Sequence, residues 1–173
     1  MTQAHHNAVV QQVPSARLDT GCIVQVSVNP SGGVPKYAVQ SASVTREGVA
    51  GDKQVHRQFH GGPQRAVSLF SLERIEALRT EGHSIGPGTT GENLTVEGLD
   101  WDQIKPGTRL LIGDEVMLEI TGYATPCEAI RGSFSDERFV RLSQKLYPGW
   151  SRTYARVIAE GSVQPGDSVR LES

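Results

Sequence analysis

The chain has 173 residues, 37% of them hydrophobic, enough for one domain with an ordinary core. Seventeen basic against nineteen acidic side chains leave a formal charge of −2 with no long run of either sign, so no nucleic-acid partner and no membrane surface is expected. Two cysteines in unlike surroundings do not make a disulfide framework, and no stretch approaches the roughly 18 apolar residues of a membrane span.

Residues 1–20 begin Met1-Thr2-Gln3-Ala4-His5-His6, without a basic start or an apolar stretch. They read as a flexible tail rather than a secretory signal, ahead of one domain over 21–173. A reducing cytoplasm is the expected location. Cys22–Val28 is the first predicted strand, with Cys22, Val24, Val26 and Val28 on one face and Cys22 read as a small core hydrophobe. A second strand ends near Val44, and Ala66–Phe70 is a third. Ser71 then caps a predicted helix that turns Leu72, Ile75 and Leu78 inward and stops at Gly82. Further strands are expected at Leu94–Val96, Arg109–Ile112 and Glu115–Thr121. Asp136 caps a second predicted helix, with Phe139, Leu142 and Leu146 on one stripe and Pro148-Gly149 as its stop. Strands at Tyr154–Ala159 and Ser168–Glu172 complete the chain. Eight or so strands without regular strand–helix alternation predict a mainly β fold. It would be a closed or half-closed β-barrel with two or more short accessory helices.

Three loops, Pro106-Gly107, Gly113-Asp114 and Pro165-Gly166-Asp167, each precede a strand and read as plain turn chemistry. Gly51-Asp52 differs, because the polar, basic run Lys53-Gln54-Val55-His56-Arg57-Gln58-Phe59-His60-Gly61-Gly62-Pro63 follows it. That is too much charge and glycine for a mere connector. Cys127 is also set apart. The run Val116, Leu118, Ile120 makes a half-buried strand, Gly122 breaks it, and Pro126 cannot join a ladder. The thiol therefore sits in a loop where a strand ends, placed to react or to ligate. Position alone leaves open an inert, half-buried loop thiol.

Other motifs fail on context. Gly86-Pro87-Gly88-Thr89-Thr90-Gly91 has the spacing of a dinucleotide fingerprint but lacks the strand before it and the helix after it. His60-Gly61-Gly62 has no Gly-x-Ser-x-Gly elbow to accompany it. His56 and His60 lack the glutamate of a zinc protease, and the glycines end any helix there.

Taken in order, several short segments do resemble a family. They are Glu47-Gly48-Val49-Ala50-Gly51-Asp52-Lys53, His60-Gly61-Gly62-Pro63 with Ala66-Val67, Gly91-Glu92-Asn93-Leu94-Thr95, Ile112-Gly113-Asp114, Pro126-Cys127 and Tyr154-Ala155-Arg156-Val157. Each is weak alone, but six in the same order are specific. From Cys22 to Leu171 the chain resembles a MOSC domain, the C-terminal domain of molybdenum-cofactor sulfurases. The resemblance is strongest to stand-alone bacterial members of the branch linked to resistance against 6-hydroxylaminopurine.

That resemblance implies a MOSC-type β-barrel holding a molybdenum cofactor (molybdopterin) in a cleft between strand ends. It makes Cys127 the metal ligand and a catalytic residue, and thiolate is the soft donor that molybdenum favours. Asp52, Lys53, Arg57, Gly61, Gly62, Glu92 and Asn93 supply the cations, amides and carboxylates that a pterin and its phosphate need. His60 would carry protons. Loop-bracing hydrogen bonds are the alternative for each of these polar residues.

The chain departs from the family in carrying Ala124-Thr125 before Pro126, where relatives often have Pro-Arg. A cation near the metal is then lost or moved to Arg131. The sulfurases' pyridoxal-phosphate domain has no counterpart here, so pyridoxal phosphate is not expected. The implied activity is a molybdenum-dependent reduction of a small N-hydroxylated substrate, with electrons from a separate reductase. A non-catalytic carrier of the cofactor or its sulfur is the alternative. Metal-free chemistry with Cys127 activated by His60 is a third reading.

Overall fold

A computed structural model describes residues 19–54 and 61–173. The tail expectation for residues up to 18, and the site expectations for His56, Arg57 and His60, lie outside the described residues.

Eleven strands form among the described residues: β1 (Thr20–Val28), β2 (Tyr37–Val39), β3 (Ala42–Thr45), β4 (Gly48–Val49), β5 (Val67–Ser71), β6 (Leu94–Glu97), β7 (Arg109–Ile112), β8 (Val116–Tyr123), β9 (Thr153–Ala159), β10 (Gly161–Val163) and β11 (Ser168–Glu172). The sheet runs β11-β7-β8-β9-β5-β6-β1, and β1 pairs again with β11, which closes a seven-stranded barrel. Strand β2 adds to the side of β1, and β10-β3-β4 forms a small separate sheet. All these pairings are antiparallel except β5 with β6. That parallel pair is bridged by the helix α1 (Leu72–Thr80).

The expected mainly β barrel is therefore present and closed. Strands β2, β4 and β10 have two or three residues each, too few for an alternation signal to show them in sequence. Val116, Leu118 and Ile120 of β8 point into the core with Ala155 and Val157 of β9, as their period of two requires. All five residues of β5 are buried, because the barrel covers one face and Ile75 and Leu78 of α1 cover the other. The Ser71 hydroxyl accepts from the Arg74 amide, so the predicted cap forms.

Two sequence expectations fail. In β1 the register against β6 shifts between Ile23 and Gln25. One inserted residue reverses the side-chain alternation, so Ile23 enters the core and Cys22 stays half-buried outside it. Cys22 instead donates to Glu97 at 3.5 Å. The second predicted helix is also absent. Asp136 accepts from the Arg138 amide, Glu137 takes φ 59°, and only a 3-10 turn over Phe139–Leu142 follows. Ser143 is extended, which ends the stripe and leaves Leu146 59% exposed. In this conformation the Arg141 guanidinium lies 3.9 Å from the Trp150 ring centroid and 4.9 Å from that of Tyr147, and pairs with Glu81.

The glycine-rich stretch 86–91 is a turn that packs against the loop after β1. Gly88 has φ 80°, and a Cβ there would lie 2.4 Å from the Lys36 carbonyl oxygen. Gly107 has φ 93° with open space around it. Gly107→Ala should therefore cost only the backbone strain of about 1 kcal/mol, and Gly88→Ala should cost about 2–3 kcal/mol. Urea unfolding of both variants checks the difference; equal losses would mean that the Lys36 loop yields.

Candidate active site

A cavity of about 320 Å³ opens where the C-terminal end of β1 and the N-terminal ends of β5 and β6 meet the start of β9, whose Tyr154 pairs with Ser68 of β5, and the β8–β9 connection. Its lining includes Val34, Lys36, Lys53, Gln54, Arg65, Ser68, Gly91, Asn93, Cys127, Ile130, Arg152 and Tyr154. Lys53, Asn93 and Cys127, which the family resemblance sets about one cleft, all line this cavity.

The wall is held by a polar knot around Asp52. Its side chain is 3% exposed and accepts from the Asn29 amide at 2.9 Å, Lys36 Nζ at 2.7 Å and Asn93 Nδ2 at 2.9 Å. Asn93 Nδ2 also donates to the Ser27 carbonyl, and its Oδ1 accepts from the Ser68 amide at 3.1 Å. A buried carboxylate satisfied three times over fixes its neighbours firmly. Asp52 is accordingly a brace for Lys36 and Asn93, and its oxygens are spent on the protein. Glu92 behaves similarly. It is fully buried, its Oε1 takes the Gly88 amide and Thr95 hydroxyl, and its Oε2 takes the Thr90 hydroxyl.

Cys127 is brought to the cavity by a bulge. The β8–β9 register shifts between Ile120 and Gly122, and the Thr121 hydroxyl donates to the Gln64 and Tyr154 carbonyls. The Ala124 amide then donates to the Arg152 carbonyl at 2.9 Å, and the Ser151 hydroxyl to the Ala124 carbonyl at 3.1 Å. The half-buried thiol follows, at the head of a 3-10 turn over Glu128–Ser133 whose Ile130 joins the cavity wall. Arg131 pairs with Glu128 and is not among the lining residues.

Gly61 and Gly62 are not among the lining residues. Gly62 instead opens the 3-10 turn Pro63–Arg65, which carries Arg65 into the cavity with its guanidinium 5.4 Å from the Tyr154 ring. Lys53 lines the cavity with an exposed side chain. Cys22 lies near the opposite end of β1, about 20 Å of strand away from Val28. Burial, reinforced by the Glu97 carboxylate, pushes its thiol above the usual range.

Arg152 was not legible as a site residue. It is 7% exposed, its Nη1 donates to the Thr90 carbonyl, and its buried Nε has no acceptor among the described residues. The available signal was an arginine in Ser151-Arg152-Thr153, directly before an alternating strand, where a full positive charge is seldom buried. Arg65, Arg152 and Lys53 make the cavity wall cationic, the Lys36 charge being matched by Asp52, with no carboxylate among its described lining residues.

The family model for the MOSC domain matches residues 56–170. YflK of Bacillus subtilis is 31% identical over 144 residues, which is 82% of this chain and 63% of its own. A Gibberella moniliformis protein named Reductase is 27% identical over 129 residues, 72% of this chain and 22% of its own. This chain thus spans less than two thirds of either relative. The crystal structure of YiiM from Escherichia coli superposes with a TM-score of 0.66 at 23% identity, over 88% of this chain and 70% of that one, and shares its fold.

If the Asp52 knot holds the cavity wall, Asp52→Ala should strand Lys36 and the Asn93 amide and cost about 3 kcal/mol. The urea midpoint measures this. A loss below about 1 kcal/mol would show that water replaces the carboxylate.

Proposed function

This chain belongs to the MOSC domain family, and from that premise we propose that its cavity binds a molybdenum cofactor through Cys127 and reduces N-hydroxylated bases or related N-oxygenated compounds. The observation that carries this reading is a half-buried thiol in one cavity wall with the cationic side chains of Lys53, Arg65 and Arg152. A soft thiolate suits molybdenum, and cations suit the phosphate of the pterin. The unpaired, buried Arg152 Nε is the kind of vacancy that a bound anion fills.

When bound, the cofactor supplies a two-electron metal couple and the dithiolene sulfurs that complete its ligand set. The chain supplies the rest. Cys127 offers its thiolate to the metal. Val34, Ile130 and the Tyr154 ring give a flat ring system apolar surface, and Lys53, Arg65 and Arg152 offset negative charge. Asp52 and Asn93 keep those walls in place. The reduction is R–NH–OH + 2 e⁻ + 2 H⁺ → R–NH₂ + H₂O. The N–O bond breaks, the oxygen leaves as water, and the electrons come from a separate reductase. His60 or a bound water delivers the protons. The described residues hold no helix long and apolar enough to cross a membrane, and a reducing cytoplasm suits a free thiolate ligand.

The two thiols separate the ligand from the bystander. In protein made by a host that synthesises the cofactor, Cys127→Ser should lose bound molybdenum and Cys22→Ser should keep it. Elemental analysis of both variants decides; loss only from the Cys22 variant would reverse the assignment.

Turnover distinguishes an enzyme from a carrier. Loaded protein with an electron donor should convert hydroxylaminopurine to adenine over many cycles. Release of the cofactor to an acceptor protein without any adenine would replace the reductase reading with the carrier one.

A further inference from the structure

We infer that Arg152 is the anchor for a phosphomonoester dianion in this cavity, a role that no sequence motif assigned and that rests on the cofactor reading above. Arg152 is set apart from the other described arginines by its burial. Arg74, Arg79, Arg109, Arg131, Arg141 and Arg156 each pair with a carboxylate. Arg152 is the more deeply buried and has no carboxylate within ion-pair distance among the described residues. Among the described residues its one acceptor is the neutral Thr90 carbonyl. Glu92, two residues on, does not serve, because its oxygens are already taken by Gly88, Thr90 and Thr95.

A guanidinium cannot shed its proton, so burial leaves a full charge out of water. The Thr90 carbonyl orients the fork but does not neutralise it. The Nε edge is unspent, and the planar fork matches two oxygens of a phosphate. Gly91 borders the guanidinium; a Cβ there would clash with Val34 Cγ1 at 2.6 Å and make only ordinary contact with Arg152 Nη1 at 3.8 Å. Lys53 and Arg65 on the same wall raise the potential further, which favours a dianion over a carboxylate. Lys53 itself is exposed, so its bond to the same anion is screened and weaker.

The test uses the cofactor-free full chain titrated with inorganic phosphate, by calorimetry and by thermal unfolding. Phosphate should raise the melting temperature of the wild type. Arg152→Gln should bind phosphate about 10- to 100-fold more weakly and, without phosphate, should melt no lower than the wild type, since a buried unpaired charge has been removed. Arg152→Lys keeps the charge without the fork and should lose about tenfold, providing a second folded comparison. Lys53→Gln should change binding by no more than about threefold. An unchanged phosphate response in Arg152→Gln overturns the anchor, as does a lower melting temperature with that response intact, which marks a brace for Thr90.

A second arm identifies the source of the phosphate, by measuring pterin and molybdenum in protein from a cofactor-competent host. Pterin retained by the wild type and lost from Arg152→Gln assigns the anchor to the cofactor's phosphate. Phosphate binding that depends on Arg152, in a wild type carrying neither pterin nor molybdenum, keeps the anchor and removes the cofactor reading. Equal pterin in both proteins, with equal phosphate binding, removes the anchor and keeps the cofactor reading.

Discussion

The Asp52 carboxylate is the constraint on which the cavity depends. It is taken out of water and held by donors from two separate stretches of chain: the Asn29 amide and the Lys36 ammonium of the loop after β1, and the Asn93 side-chain amide. A buried charge tolerates no missing partner, so the Asp52 turn and these two stretches must arrive together or not at all. Asn93 passes the constraint on, through the Ser27 carbonyl to β1 and through Ser68 to β5. The loop after β1 is thereby pinned over the glycine turn at 86–91, where the Lys36 amide donates to the Gly88 carbonyl. One side chain thus joins a turn, a loop and two barrel strands into a rigid wall.

The opposite wall is built by register. A bulge near Thr121 bends the end of β8, and backbone bonds from Ala124 to Arg152 set the Cys127 loop beside the start of β9. Thiol and buried guanidinium therefore reach the cavity from neighbouring strands, fixed by the same ladder. This arrangement divides the chemistry. Carboxylates are confined to the framework behind the wall, and the lining presents cations, apolar surface and a soft sulfur donor. A ligand with an anionic end and a sulfur-seeking metal matches both features at once.

Much of this was written in local patterns. The strands β5 to β9 and β11 follow alternation and turn residues, because side chains on a pleated strand must sort by face wherever one face is buried. The first helix followed from its serine cap and its inward stripe. Cys127 was marked as a loop thiol by Gly122 and Pro126, and the order of short motifs from Glu47 to Val157 carried the family. In β1 the local pattern misled, since a single inserted residue near Val24 moved Cys22 off the inner face. The stripe Phe139, Leu142, Leu146 misled as well, since the backbone leaves the helical region at Glu137 and again at Ser143.

The sequence by itself determined the barrel class, the family and the distinct place of Cys127, since these rest on periodicities and motifs that span a few residues. Only the tertiary structure decided what the polar residues do. Asp52 and Glu92 carry the right chemistry for a ligand, yet Lys36 and Asn93 claim the oxygens of Asp52 and the folded turn around Gly88, Thr90 and Thr95 claims those of Glu92. Arg152 looked like an ordinary charge before a strand, yet folding buries it where no described carboxylate reaches. Whether a charged side chain braces or binds depends on which partners the fold brings within about 3 Å, and that distance is set by contacts far apart in the chain.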